Sequence, residues 1–159
     1  MKRLIRLAAA IFAAASSIAV ADQQTLKNGS MESGAGPNSA DPRVALGWTE
    51  FGINVERSEQ YSFAPPTNGH ALKAFGDGDS TTCGAFQEIL SVTPGQSVTF
   101  SARLFSPAND KLRGSGQAGI VLEFLNLFGG TIGVGTSLYV LDVSSPADTW
   151  IPASIGPLT

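Results

Sequence analysis

The chain has 159 residues, with ten basic against thirteen acidic side chains, one cysteine and one histidine. That length suits a single domain, the lone Cys83 excludes an internal disulfide, and one cysteine with one distant histidine makes no zinc ligand set. All thirteen acidic residues lie from Asp22 onward with only seven basic ones, so neither nucleic acid nor an anionic membrane surface is expected as a partner.

The first 21 residues have the pattern of a cleavable export signal. Lys2, Arg3 and Arg6 form a positive start, Leu7 to Val20 is apolar and Ala-rich, and Ala19-Val20-Ala21 places small residues where a signal peptidase cuts. Ser16-Ser17 interrupts the apolar run, which falls short of the roughly 20 residues that span a bilayer. Cleavage before Asp22 leaves residues 22–159, a domain of formal charge −6 set by seven basic and thirteen acidic residues. The expected destination is secreted, periplasmic or cell-surface. No membrane association is expected after cleavage.

After residue 21, Gly, Pro, Ser and Thr recur every few residues and break the chain into short alternating segments. A short strand is expected around Thr25 to Asn28, followed by others at Val44 to Thr49, Ile53 to Arg57 and His70 to Phe75. Ala85 to Leu90 leads through the turn signal Thr93-Pro94-Gly95-Gln96 into Ser97 to Phe105, so these two segments are expected to be antiparallel neighbours. In the second of them Val98, Phe100, Ala102 and Leu104 alternate with Ser97, Thr99, Ser101 and Arg103, the period of a half-buried strand. In Gln117 to Leu127, Ile120, Leu122 and Phe124 share one face, and Val121, Glu123 and Leu125 the other. Gly129-Gly130 predicts a turn into Thr131 to Val134, with further strands at Ser137 to Val140 and Thr149 to Ile155. The sum is an all-β chain of about nine short antiparallel strands, at the spacing of a β-sandwich or jelly roll.

Catalytic signals are thin. There is no G-x-S-x-G elbow, and His70 follows the turn Pro65-Pro66-Thr67-Asn68-Gly69, the position of a polar residue opening a strand. A glycosidase needs two facing carboxyls, and Glu88 and Glu123, both within strands, are the only plausible candidates. Asp77-Gly78-Asp79-Ser80 lacks the rest of a calcium loop and is expected to be a polar turn. Cys83 is expected to be a buried structural thiol. Trp48 and Trp150 are expected in the core, and with Tyr61 and Tyr139 they are the whole supply of Trp and Tyr for stacking on a sugar ring.

Several segments together carry a resemblance. Leu26-Lys27-Asn28-Gly29-Ser30-Met31-Glu32, Gly47-Trp48, Ala71-Leu72-Lys73, Phe86-Gln87-Glu88-Ile89, Pro94-Gly95-Gln96, Val98-Thr99-Phe100-Ser101-Ala102 and Trp150 occur in the order and spacing of jelly-roll carbohydrate-binding modules. The chain resembles those grouped in families 4, 9 and 22, with a galactose-binding-like fold. Met31 stands where the family carries an aromatic residue, and Phe100 where it carries a tyrosine. The resemblance implies a jelly roll that binds polysaccharide without chemistry, and a structural calcium with Glu32 as a ligand. Against the family pattern the chain stops at Thr159 before the last strand, so that strand is expected to be missing. The resulting expectation is an exported, non-catalytic module for a neutral polysaccharide, with Tyr61, Gln87, Glu123 and Tyr139 as ligand-binding residues. Two other readings stay open: a structural or cell-surface jelly roll without sugar binding, and an accessory domain of an extracellular glycoside hydrolase.

Overall fold

The computed structural model describes residues 3–9, 14–16, 26–31, 44–52, 55–58, 70–74, 82–132 and 136–159. The chain is all-β. Its strands are β1 (Arg3–Ala9), β2 (Ala14–Ser16), β3 (Thr49–Phe51), β4 (Val55–Ser58), β5 (Ala71–Ala74), β6 (Gly84–Val92), β7 (Val98–Leu104), β8 (Ala118–Leu125), β9 (Thr136–Leu141) and β10 (Ile151–Leu158). A five-stranded sheet has the order β3-β6-β1-β8-β9, a three-stranded sheet the order β10-β7-β2, and β4 pairs with β5. Each pairing is antiparallel. Among the described residues, no helix is long and apolar enough to cross a membrane.

Alternation builds the core. In β7, Val98, Phe100, Ala102 and Leu104 are buried while Arg103 is exposed; in β10, buried Ala153 and Ile155 alternate with exposed Pro152, Ser154 and Gly156. In β8 the inward set is Ala118, Ile120 and Leu122. These residues join Ala85, Val92 and Trp48 in a single apolar cluster, so the two larger sheets share one core. Each fully buried Phe, Leu or Ile there contributes about 1.5–3 kcal/mol relative to exposure. Two prolines are tolerated in β10 because that strand pairs only with β7 and lies at a sheet edge.

Several expected features take a different form. β6 and β7 are not neighbours: the first belongs to the five-stranded sheet, the second to the three-stranded one. The turn between them explains why. Gln96 N–H donates to Thr93 O over 3.0 Å, and Gly95, at the third position, has φ +84°. That is type II geometry, which splays strands apart instead of closing a hairpin, so the chain changes sheets there. Around Thr25 to Asn28 the described residues form a turn over 27–30, with Asn28 (φ 50°) and Met31 (φ 61°) in the left-handed region. Val44 to Thr49 contains a second turn, closed by Trp48 N–H to Ala45 O and by Gly47 at φ +87°, and the strand proper starts at Thr49. After Gly129 (φ 80°) the described part of the strand expected over Thr131 to Val134 makes one bridge, Leu125 to Thr131, and Gly133 and Val134 lie outside the described residues. Residues 3–9 and 14–16, read from sequence as part of an export signal, are strands β1 and β2.

Candidate functional site

The two short turns near the start of the chain meet at β6. Trp48 Nε1–H donates to Asn28 O (3.2 Å), and Asn28 Nδ2–H to Leu46 O (3.1 Å). Gln87 completes the knot. Its Oε1 accepts from Lys27 N–H (3.0 Å), and its Nε2–H donates to Lys27 O. A Cβ on Gly47 would lie 3.1 Å from Lys27 Cβ, so the close approach of the turns, together with the positive φ, requires glycine there. The Asn28, Gly47-Trp48 and Gln87 motifs therefore converge in space, as a clamp tying the N-terminal turn to the sheet.

This clamp settles the placement of Gln87. It is 5% exposed, its amide is taken by backbone, and it lies on the inward side of β6, whereas Glu88 is exposed on the other side. Alternation alone could not have assigned a polar side chain inward, because its partner is the backbone of a residue 60 positions earlier.

The outward side of the five-stranded sheet carries the remaining candidates. Tyr139 on β9 is 61% exposed and sits opposite Gly119 in the register. Gly119 is indispensable there, because a Cβ would strike the Leu138 carbonyl and Tyr139 Cα. Glu123, half-buried, shares the outward parity of β8 with Gly119 and Val121. Four residues separate Gly119 from Glu123, placing Glu123 about 13 Å along the strand from the Tyr139 position. Arg6 of β1 takes the register position between Glu88 and Glu123. Tyr61 and Glu32 lie outside the described residues, as does the Asp77 to Ser80 segment. Among the described residues no group of three or more His, Cys, Asp or Glu could hold a metal ion.

Stacking on a sugar singles out Trp and Tyr, which passes over one exposed phenylalanine. Phe128 is 97% exposed at the tip following β8, beside exposed Leu127. The tip is well built. Asn126 Oδ1 accepts from Phe128 N–H (2.8 Å) and Gly130 N–H (3.0 Å), and Asn126 N–H donates to Gly130 O (2.8 Å). A polar residue followed by Leu-Phe-Gly-Gly was the available signal: an Asx turn with apolar residues at its apex. From the Tyr139 position to this tip the face runs seven residues of β8, about 23 Å.

The other aromatic candidates are committed to packing. Trp48 is in the main core, and Trp150 stacks on Phe105 with ring centroids 5.0 Å apart, tilted by 37°. His70, half-buried, directly precedes β5. Cys83 is buried, and burial pushes its thiol pKa up from the ordinary value of 9.0. On the outer side of the three-stranded sheet, Ser101 and Ser154 hydroxyls pair at 2.9 Å, with no exposed aromatic among the residues around them in β7 and β10. Comparison with protein-family models, with curated proteins and with solved structures gives no match for this chain.

Proposed function

We propose that the chain is an exported, non-catalytic binding domain that takes a neutral polysaccharide on the outward side of its five-stranded sheet. The observation that carries this reading is Tyr139: an exposed aromatic on the outward side of a sheet, sharing that side with Glu123 and Ser137. An aromatic ring offers an apolar platform to the C–H face of a pyranose, with the hydroxyl of Tyr as a polar handle. Glu123 supplies an acceptor for sugar hydroxyls, and Phe128 a second apolar contact toward the far end. The length of the face suits an extended chain better than a single sugar. The acidic balance of residues 22–159 favours a neutral ligand over an anionic one.

Affinity-gel electrophoresis of the full chain against xylan, β-glucan and cellulose tests the proposal. Retardation by at least one polymer, lost in Tyr139→Ala, is expected. No retardation by any of them overturns it and leaves the structural reading, which the plain serine-bearing side of the smaller sheet favours.

A further inference from the structure

The place of β1 in the sheet conflicts with the character of its sequence. It lies between β6 and β8, antiparallel to both, so those two strands run in the same direction with no ladder between them. Six residue pairs join β1 to β6 and six join it to β8. Yet Arg3–Ala9 belongs to the segment whose charge and apolar pattern mark it for removal. Without it, β6 and β8 face each other across a gap of two strand spacings, about 10 Å. Backbone groups along both walls then lose their partners, which is costly wherever water cannot reach them. Removing β2 is milder, since it pairs only with β7 at the edge of the smaller sheet.

We infer that the gap between β6 and β8 is a strand-acceptor site for an extended polypeptide, filled by Arg3–Ala9 while the leader is attached and vacated by its removal. The walls define the occupant. Opposite Ile5 stand Ile89 and Phe124; opposite Leu7, Gln87 and Leu122; opposite Ala9, Ala85 and Ile120. Of these, Ala85, Gln87, Ile120 and Leu122 are buried on the core side, so the occupant needs apolar residues at those alternate positions. Between them, the position of Arg6 faces Glu88 on one wall and Glu123 on the other. Opposite charges directly across a ladder are favourable and like charges are not. The matching peptide is thus at least six residues long, antiparallel to both walls, apolar–basic–apolar at its centre and without proline. Main-chain ladders supply the affinity and the alternate side chains the selectivity, as in other cases of strand addition. In the precursor, folding and export compete for the same seven residues: a domain that closes on β1 withholds its own signal. This inference rests on the export reading of residues 1–21 and not on polysaccharide binding, whose failure it would survive.

The test starts from the full folded chain with a specific protease site inserted between Ala21 and Asp22. After cutting, the 1–21 fragment is expected to co-elute with the domain in gel filtration and to exchange with a labelled peptide of residues 1–12, but not with its Arg6→Glu version. Departure of the fragment in native buffer, with amide exchange in Gln87–Ile89 and Leu122–Phe124 unchanged, overturns the inference. Should the cut domain precipitate, the uncut Leu7→Pro chain gives the reading. Proline removes a ladder donor in the middle of the sheet, so loss of amide protection in those two segments is expected, and retained protection overturns the site.

Discussion

Gln87→Ala separates a clamp from a ligand contact. In the structure the Gln87 amide makes two bonds to the Lys27 main chain, one accepting from N–H at 3.0 Å and one donating to the carbonyl. Each partly buried hydrogen bond is worth about 1 kcal/mol net, and the stranded Lys27 groups regain some hydration because Lys27 itself is exposed. The substitution should therefore cost about 2 kcal/mol, which for a chain of this length lowers Tm by roughly 4–8 °C. Gln87→Glu should be at least as harmful, because it trades the amide donor for a carboxylate facing the Lys27 carbonyl. The assay is thermal unfolding followed by near-UV circular dichroism, which reports the Trp48 environment through its bond to Asn28. In parallel, affinity-gel retardation below the transition should match the unchanged chain. An unaltered Tm with lost retardation would refute the reasoning, since it would place the Gln87 side chain on the ligand and not on Lys27.

Other substitutions test the remaining elements. Tyr139→Ala should abolish polysaccharide retardation while changing stability by no more than about 0.5 kcal/mol, as for an exposed residue; equilibrium urea unfolding checks the second half. Leu122→Ala, at a fully buried position of the shared core, should cost about 2–5 kcal/mol in the same measurement. The Cys83 thiol has a raised folded pKa, so its contribution is fully present below the unfolded value and is lost as pH rises through the folded one. Stability should accordingly fall above about pH 9, and Cys83→Ala should flatten that part of the profile in urea melts across pH 8–11. Asp142 is the opposite case. Its carboxylate accepts from the Ser144 hydroxyl (2.7 Å) and the Ser144 N–H (2.9 Å), and from the Ser145 hydroxyl, which holds its pKa below the ordinary value of 3.8. The turn after β9 should persist above the unfolded value and loosen as pH falls through the folded one, visible as a carboxyl titration in NMR.

Local pattern was legible wherever one face of a strand meets the core. The period of two in Val98–Leu104 is intact in its burial, and Ile120 and Leu122 lie on the side their alternation assigns. What alternation lacks is any information about partners. The Pro94-Gly95 pair announces a turn, but whether a turn closes a hairpin or redirects the chain depends on its twist, and the type II form sends β7 into the other sheet. Gln87 was illegible for a related reason: a polar side chain turns inward when a distant backbone needs it. Tyr139 and Glu123 are on one face, yet their separation along β8 follows only from the register.

Strand β1 presents the sharpest form of the same ambiguity. Apolar, Ala-rich residues after a basic start satisfy an export signal, and Arg3–Ala9 equally satisfies a central strand, because both tasks select for apolar residues. Sequence patterning ranks the first task higher, since nothing local reveals that two parallel walls elsewhere in the chain lack a strand between them. The fold supplies that missing fact. Once β6 and β8 are seen to have no ladder of their own, occupancy of the gap becomes a condition on folding the whole sheet, and therefore on the face that carries Glu123 and Tyr139. Glu123 sits on one wall of the gap, so an empty slot would alter the very side on which the polysaccharide is proposed to lie. Measuring retardation of the cut domain with and without the 1–12 peptide thus bears on both ideas at once. Retardation that depends on the peptide joins the two. Retardation indifferent to it separates ligand binding from the state of the slot.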